Sequence, residues 1–289
     1  MESLQDRAAL LAWRKRQGHQ NIGFVPTMGC LHEGHLTLLR EARQRCEQVV
    51  VSIFVNPTQF GPNEDFDLYP RTFEADWALL EAEGCDALFH PTVAAIYPPE
   101  NPNLTHVTLP ALAGMLCGAV RPGHFDGVAT VVTLLLNLVR PTSAFFGLKD
   151  YQQFTVLRSM VQDLAMPVEV IGIPTVREPD GLAMSSRNRY LDAPARAQAV
   201  ALSQGLNRAY HAYQEGLHDA TALAHLVEQT LRQAGIARID YVAVRDALTL
   251  QPWQGKGAPV VLIAAHVGAA RLIDNLVLGA QPIPSVTQE

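Results

Sequence analysis

Two histidines one helical turn apart, His32 and His35, stand in the stretch Pro26-Thr27-Met28-Gly29-Cys30-Leu31-His32-Glu33-Gly34-His35, with a carboxylate and two glycines beside them. Residues of these types at this spacing could ligate a metal, cradle a phosphate or simply open a helix. A zinc protease site needs His-Glu-x-x-His, whose histidines are four apart; here His35 comes too soon. The P-loop pattern G-x-x-x-x-G-K-[ST] and the dinucleotide pattern G-x-G-x-x-G are both absent from this turn. A phosphate cradle is coherent. Gly29 and Gly34 let backbone approach a ligand closely, the amides of an opening helix supply donors and partial positive charge, and the two imidazoles project the same way to donate hydrogen bonds. The competing reading is a helix start that happens to carry two histidines.

A second stretch, Met184-Ser185-Ser186-Arg187-Asn188, lies in a polar segment. Two hydroxyls and a guanidinium suit a triphosphate clamp, since arginine grips phosphate with two parallel bonds. Its alternative is a solvated linker.

The elements around these stretches decide how they could be held. Asn21–Val25 reads as a strand, a helical stripe through Leu36, Leu39, Ala42 and Cys46 follows, and Gln48–Val55 is a β-branched run of the kind buried on both faces. The pattern recurs as helix Thr72–Glu83, strand Ala87–Phe89, helix Asp126–Val139, strand Ser143–Phe146, helix Asp150–Leu164 and strand Val168–Ile173. Such alternation predicts a Rossmann-like α/β fold, a parallel sheet with helices on both faces, over residues 1–175. After Pro174 a loop-like segment leads to a long helix opened by Asp192-Ala193-Pro194, a helix over about Ala220–Ala234, and strands near Asp240–Val244, Pro259–Val267 and Arg271–Val277. These predict a smaller C-terminal α+β domain over residues 176–289. The quoted turn follows the first strand of the sheet, the usual phosphate site of an open α/β sheet.

Composition removes other classes. The chain has 289 residues, 48% of them hydrophobic, and a net charge of −6. That charge argues against a broad nucleic-acid surface, which needs excess Lys and Arg. The apolar run Val128–Val139 falls short of the ~20 residues that span a bilayer, and the first residues lack the apolar core of a signal peptide. Cys30, Cys46, Cys85 and Cys117 form no C-x-x-C pair, which fits reduced thiols in the cytoplasm.

Together the histidine stretch and the serine-arginine stretch resemble the paired signatures of the HIGH-type nucleotidyltransferases and class I aminoacyl-tRNA synthetases, in which the serine-arginine stretch is similar to the KMSKS loop. Three more stretches narrow the resemblance: Val55-Asn56-Pro57-Thr58-Gln59-Phe60, Arg121-Pro122-Gly123-His124-Phe125-Asp126-Gly127 and Lys149-Asp150-Tyr151-Gln152-Gln153. In order and spacing they are similar to the motifs of the pantoate-β-alanine ligase (pantothenate synthetase) family. Leu148 stands where the family often has Glu, and Cys30 where a small residue such as Ala is usual. Neither removes a catalytic group.

The resemblance implies ligation of pantoate and β-alanine through a pantoyl-adenylate, with ATP consumed to AMP and pyrophosphate and Mg²⁺ bridging the phosphates. It assigns catalysis to His32, His35, Lys149, Ser185 and Arg187. ATP binding falls to Met28, Gly29, Cys30, Leu31, His32, Glu33, Gly34, His35, Gly147, Leu148, Lys149, Asp150, Val176, Met184, Ser185, Ser186 and Arg187, and substrate binding to Gln59, Gln153, Asn56 and Arg121. Met28 with Phe54 could wall the gem-dimethyl group of pantoate. No metal ligand is assigned. The resemblance also implies a homodimer, a second domain acting as a lid over ATP, and no nucleic-acid or membrane partner. Two rivals remain: an adenylyltransferase acting on a phosphorylated partner, and a non-catalytic nucleotide-binding module. A thiol at a helix start beside histidines is also expected to have a lowered pKa and to react with alkylating agents.

Overall fold

A computed structural model describes residues 1–62, 64, 66–100 and 105–283. By their contacts they form two compact units, one of Met1–Leu148 with Val156–Pro174 and the other of Lys149–Thr155 with Thr175 onward. A single cut at residue 175 therefore needs a correction: segment 149–155, counted with the first domain in the sequence, belongs with the second unit.

The first unit is built on strands β1 (Glu2–Leu4), β2 (Ile22–Thr27), β3 (Gln48–Ile53), β4 (Ala87–Phe89), β5 (Ser143–Gly147) and β6 (Glu169–Ile173). They pair in the order β1-β4-β3-β2-β5-β6, every pairing parallel. The helices are α1 (Arg7–Arg16), α2 (Glu33–Arg45), α3 (Phe73–Ala82), the one-turn α4 (Val93–Ile96), α5 (Pro110–Ala113) and α6 (Cys117–Val120), then α7 (His124–Val139) and α8 (Tyr151–Asp163), the last shared between the units. Strand residues alternate between faces. On β3, Val49 and Val51 pack with Leu38, Leu39 and Ala42 of α2 and Leu80 of α3, while Val50 and Ser52 point the other way and are equally buried. Both faces are covered, which is why β3 reads as a continuous apolar run.

Sheet order reverses at β2, which lies between β3 and β5. In open parallel sheets ligands bind beyond the carboxyl ends of the strands at such a reversal. The stretch Pro26–His35 runs out of β2 there, and the turn Leu148–Asp150 follows β5 in the chain.

The second unit adds α9 (Ala193–Ala199), α10 (Ala201–Gln214), α11 (Ala220–Gln233) and an antiparallel sheet of β7 (Arg238–Asp246), β8 (Pro259–Val267) and β9 (Ala270–Val277). Leu202, Leu206, Leu223, Val227 and Leu231 from the helices pack with Val261, Ile263 and Leu272 from the sheet into a second core. The long helix expected after Asp192 is two helices that meet at Val200. Strand β1 and the three one-turn helices are not among the elements that the sequence pattern predicts.

Candidate active site

The histidine turn is held largely by its own backbone. His32 is the N-cap of α2, and its Nδ1 accepts the amide of Gly34 at 3.1 Å. The Nδ1 of His35 accepts the amide of His32 at 3.3 Å, closing a reciprocal capping box. A neutral imidazole has one acceptor nitrogen and one N–H. Because both Nδ1 atoms accept, both rings carry their hydrogen on Nε2. The two rings lie 4.1 Å apart between centroids at the start of α2, where the helix dipole favours an anion.

One long-range group completes the turn. Asp76 on α3 is 2% exposed, and its two carboxylate oxygens accept the amides of Cys30 at 2.9 Å and Leu31 at 2.8 Å. Gly29, at φ +80°, leaves room for it: a Cβ there would come within 3.0 Å of the Asp76 carboxylate. Asp76 was not singled out in the sequence. No local signal marked it, since Glu74 and Glu81 stand in the same helix and Asp76 is one acid among three. Cys30 itself has φ 51° and is 1% exposed. The expectation of a reactive thiol is thereby corrected: the sulfur has no solvent access from which a reagent could reach it.

The residues expected to meet a second substrate form a connected set in the same unit. Gln59 is almost buried; its Oε1 accepts Asn56 Nδ2 at 3.2 Å, and its Nε2 points at the Met28 sulfur at 3.1 Å. Asn56 is fully buried. Its Nδ2 also donates to Gly127 O, and its Oδ1 accepts from Thr58 Oγ1 and from Tyr97 OH at 2.9 Å. Burial pushes the Tyr97 phenol up, so it stays a neutral donor. Asn56, expected to contact substrate, has its donors and acceptor engaged within the protein, and its bond into Oε1 fixes the amide of Gln59 with Nε2 on the Met28 sulfur. Close approach of α7 depends on Gly127, where a Cβ would fall 2.4 Å from Thr58 O. Phe54, offered as an apolar wall, is buried and stacks obliquely near Tyr97. A cavity of about 490 Å³ shares Thr58, Tyr97 and Gly127 with this network and includes no residue of the histidine turn.

Arg121, also expected to bind substrate, is engaged within the protein. Its Nε and Nη2 pair with both oxygens of Glu64 at 2.7 and 2.6 Å, and its Nη1 lies 2.9 Å from His124 Nε2. The guanidinium holds the Glu64 carboxyl below the usual carboxylate range. His124 Nδ1 meets Gln59 O at 2.8 Å. Arg121 thus belongs, through His124, to the support of the Gln59 turn, with its charge already answered by Glu64.

In the second unit Lys149 sits in the turn Leu148–Asp150, with Nζ 3.7 Å from Asp150. Gln153 follows in the first turn of α8, half-buried beside the buried Gln152. Val176 and Met184 face each other through a backbone hydrogen bond at the neck of the loop that carries Ser185, Ser186 and Arg187. Ser185 caps the turn Ser186–Tyr190 by accepting the Arg187 amide at 3.3 Å, which leaves its hydroxyl hydrogen as a donor. Among the described residues no group of three or more His, Cys, Asp or Glu could hold a metal ion, and no helix is long and apolar enough to cross a membrane.

A parallel α/β sheet with a histidine-capped helix start after its central strand, together with an α+β unit, defines a two-unit α/β protein of Rossmann-like class. The chain belongs to the pantoate-beta-alanine ligase family, whose model matches residues 2–277. It is 54% identical to the pantothenate synthetase of Thermotoga petrophila over 265 residues, 91% of this chain and 94% of that protein. To that of Ectopseudomonas mendocina it is 51% identical over 279 residues, 96% and 97% of the two chains. The crystal structure of pantothenate synthetase from Thermus thermophilus superposes with a TM-score of 0.91 at 45% identity, covering 96% of this chain and 99% of that one. The pantoate-beta-alanine ligase of Francisella tularensis, solved with β-γ ATP and β-alanine, gives 0.78 at 33% identity over 98% and 99%.

Proposed function

We propose that this protein joins pantoate to β-alanine with ATP, forming pantothenate, AMP and pyrophosphate through a pantoyl-adenylate. Family membership over nearly the whole chain supports the reaction, and the observation that carries its local chemistry is the reciprocal cap of His32 and His35.

In the first step a carboxylate attacks a phosphorus already surrounded by negative oxygens, so catalysis rests on positioning and on charge stabilisation. The two histidines supply neutral Nε2–H donors to the phosphates. Neither is a general acid here: loss of the Nε2 hydrogen would leave an imidazolate, and protonation at Nδ1 would set N–H against the backbone N–H it now accepts. Lys149 and Arg187 supply positive charge, and Ser185 a hydroxyl donor. Gln59, its amide orientation fixed by Asn56, takes an oxygen of pantoate; Gln153 takes another. In the second step the β-alanine amine attacks the mixed anhydride and AMP leaves with little acid-base help.

Magnesium enters this reading with ATP. The described residues form no carboxylate cage, so the phosphates and water would hold Mg²⁺, which would offset their negative charge. Residues 176–289 acting as a lid, a homodimer and a cytoplasmic location extend the proposal from the family resemblance. The test is product identity: incubation with ATP, pantoate and β-alanine should give pantothenate, AMP and pyrophosphate in equal amounts. AMP transferred onto a phosphorylated acceptor, or ATP binding with no turnover, would replace this reading by an adenylyltransferase or a nucleotide-binding module.

A further inference from the structure

The two phosphate-handling segments of the second unit lie far apart in sequence, at Lys149 and at Ser185–Arg187. Both are tied to one dipeptide of β9. Asn275 Nδ2 donates to the carbonyl of Lys149 at 2.9 Å. Asp274, its side chain fully buried, takes both guanidinium nitrogens of Arg177 at 2.7 and 2.9 Å. Arg177 also donates to Gly181 O and bridges to Ala183 across the neck of the loop. From there Asn188 reaches Ala183 O and Glu178, which fixes the turn that carries Arg187. Successive side chains of a strand leave on opposite faces, so adjacent residues can hold two separate segments. The dipeptide is itself stiffened, since Asp274 Oδ1 accepts the amide of Asn275 at 2.8 Å. Tyr151 OH donates to Ala247 O and anchors the start of α8 to the same unit.

We propose that Asp274 and Asn275 are positioning residues that make the Lys149 turn and the Ser185–Arg187 loop parts of one rigid body. Lys149 then moves with the second unit, although the strand before it, β5, belongs to the sheet of the first. The proposal rests on reading Lys149, Ser185 and Arg187 as the ATP-handling groups.

The experiment combines Asn275→Ala with Lys149→Ala and follows hydrogen exchange in parallel. Asn275→Ala alone should lower kcat by about 10- to 100-fold through misplacement of Lys149, with KM for pantoate unchanged. In the Lys149→Ala background it should cost nothing further, because it acts through that lysine. An equal loss in both backgrounds would show a general folding effect and overturn the proposal. Exchange read without turnover should rise at amides 149–155 in Asn275→Ala, and in both 149–155 and 176–188 in Asp274→Asn. Loosening confined to one segment in Asp274→Asn would also overturn it. If Asp274→Asn fails to fold, Asn275→Ser gives the same reading at 149–155. Wild-type protein that makes no pantothenate, with the variants still showing these exchange changes, would break the functional reading and leave the tie intact.

Discussion

The turn around His32 and His35 and the loop around Ser185 and Arg187 present polar groups of similar purpose, yet they are held in opposite ways. In the histidine turn the main bonds span two or three residues: Gly34 to His32, and His32 to His35. A distant support comes from Asp76, 46 positions from Cys30. The serine-arginine loop is closed by a serine cap, but what fixes it to the fold is Arg177 on Asp274, 97 positions away. The first region carries its geometry in its own sequence. The second borrows geometry from the end of the chain, so substitutions that touch neither motif can disable it.

The sharpest way to break this comparison is His35→Ala. It removes one Nε2–H donor and the acceptor that satisfies the His32 amide. Loss of a transition-state donor should lower kcat by about 10²- to 10³-fold, while the lost cap should cost only about 1 kcal/mol of stability. Steady-state kinetics beside thermal unfolding separates the two. A variant of near-normal kcat would show that the paired histidines only cap the helix.

Asp76→Ala tests a distant support of the local region. It leaves two buried amides unanswered, each worth about 1–3 kcal/mol, and should both lower the unfolding midpoint and raise KM for ATP by loosening Cys30 and Leu31. Asp76→Asn, which keeps one acceptor oxygen, should recover part of both. Normal ATP affinity in Asp76→Ala would make the histidine turn wholly self-supporting.

Gln59→Ala sharpens the assignment of a donor to pantoate. One hydrogen bond to a charged group, about 1.5–3 kcal/mol, predicts a KM for pantoate raised by roughly 10- to 100-fold, with KM for ATP unchanged. Equal changes in both constants would place Gln59 in general support of the fold.

The smallest effect is expected at Glu64, outside both regions. Arg121 holds its folded-state pKa below the ordinary carboxylate value. The stability from this pair is therefore present above the unfolded pKa and lost as pH falls through the lowered folded value. Glu64→Gln should flatten that acid-side loss in a pH series of unfolding midpoints and leave the neutral-pH ATP constants alone.

These contrasts explain what could be read from the sequence. Strand Gln48–Ile53 is a run of β-branched residues because both its faces are covered, and such a run needs no partner to be recognised. Pro259–Val267 stands out for the same reason, as the central strand of its sheet. Strand Glu2–Leu4 is three residues at an edge, too short to show a period. The break at Val200 has no proline or glycine to mark it. At the site, residue types and spacing drew attention to His32 and His35, while Gln59 came from the family resemblance. For Asn56 and Arg121 the resemblance gave substrate binding, while their partners Tyr97, Gly127 and Glu64, which come from elsewhere in the chain, were not legible. Asp76, Asp274 and Asn275 act only through other residues, and no local pattern announces that.

The most direct test of the central claim is exchange of labelled pyrophosphate into ATP with magnesium and pantoate present and β-alanine withheld. Reversible pantoyl-adenylate formation predicts exchange that requires pantoate and is lost in His35→Ala. Exchange that proceeds without pantoate, or none at all while ATP and both substrates still yield AMP, would contradict the adenylate route proposed for these residues.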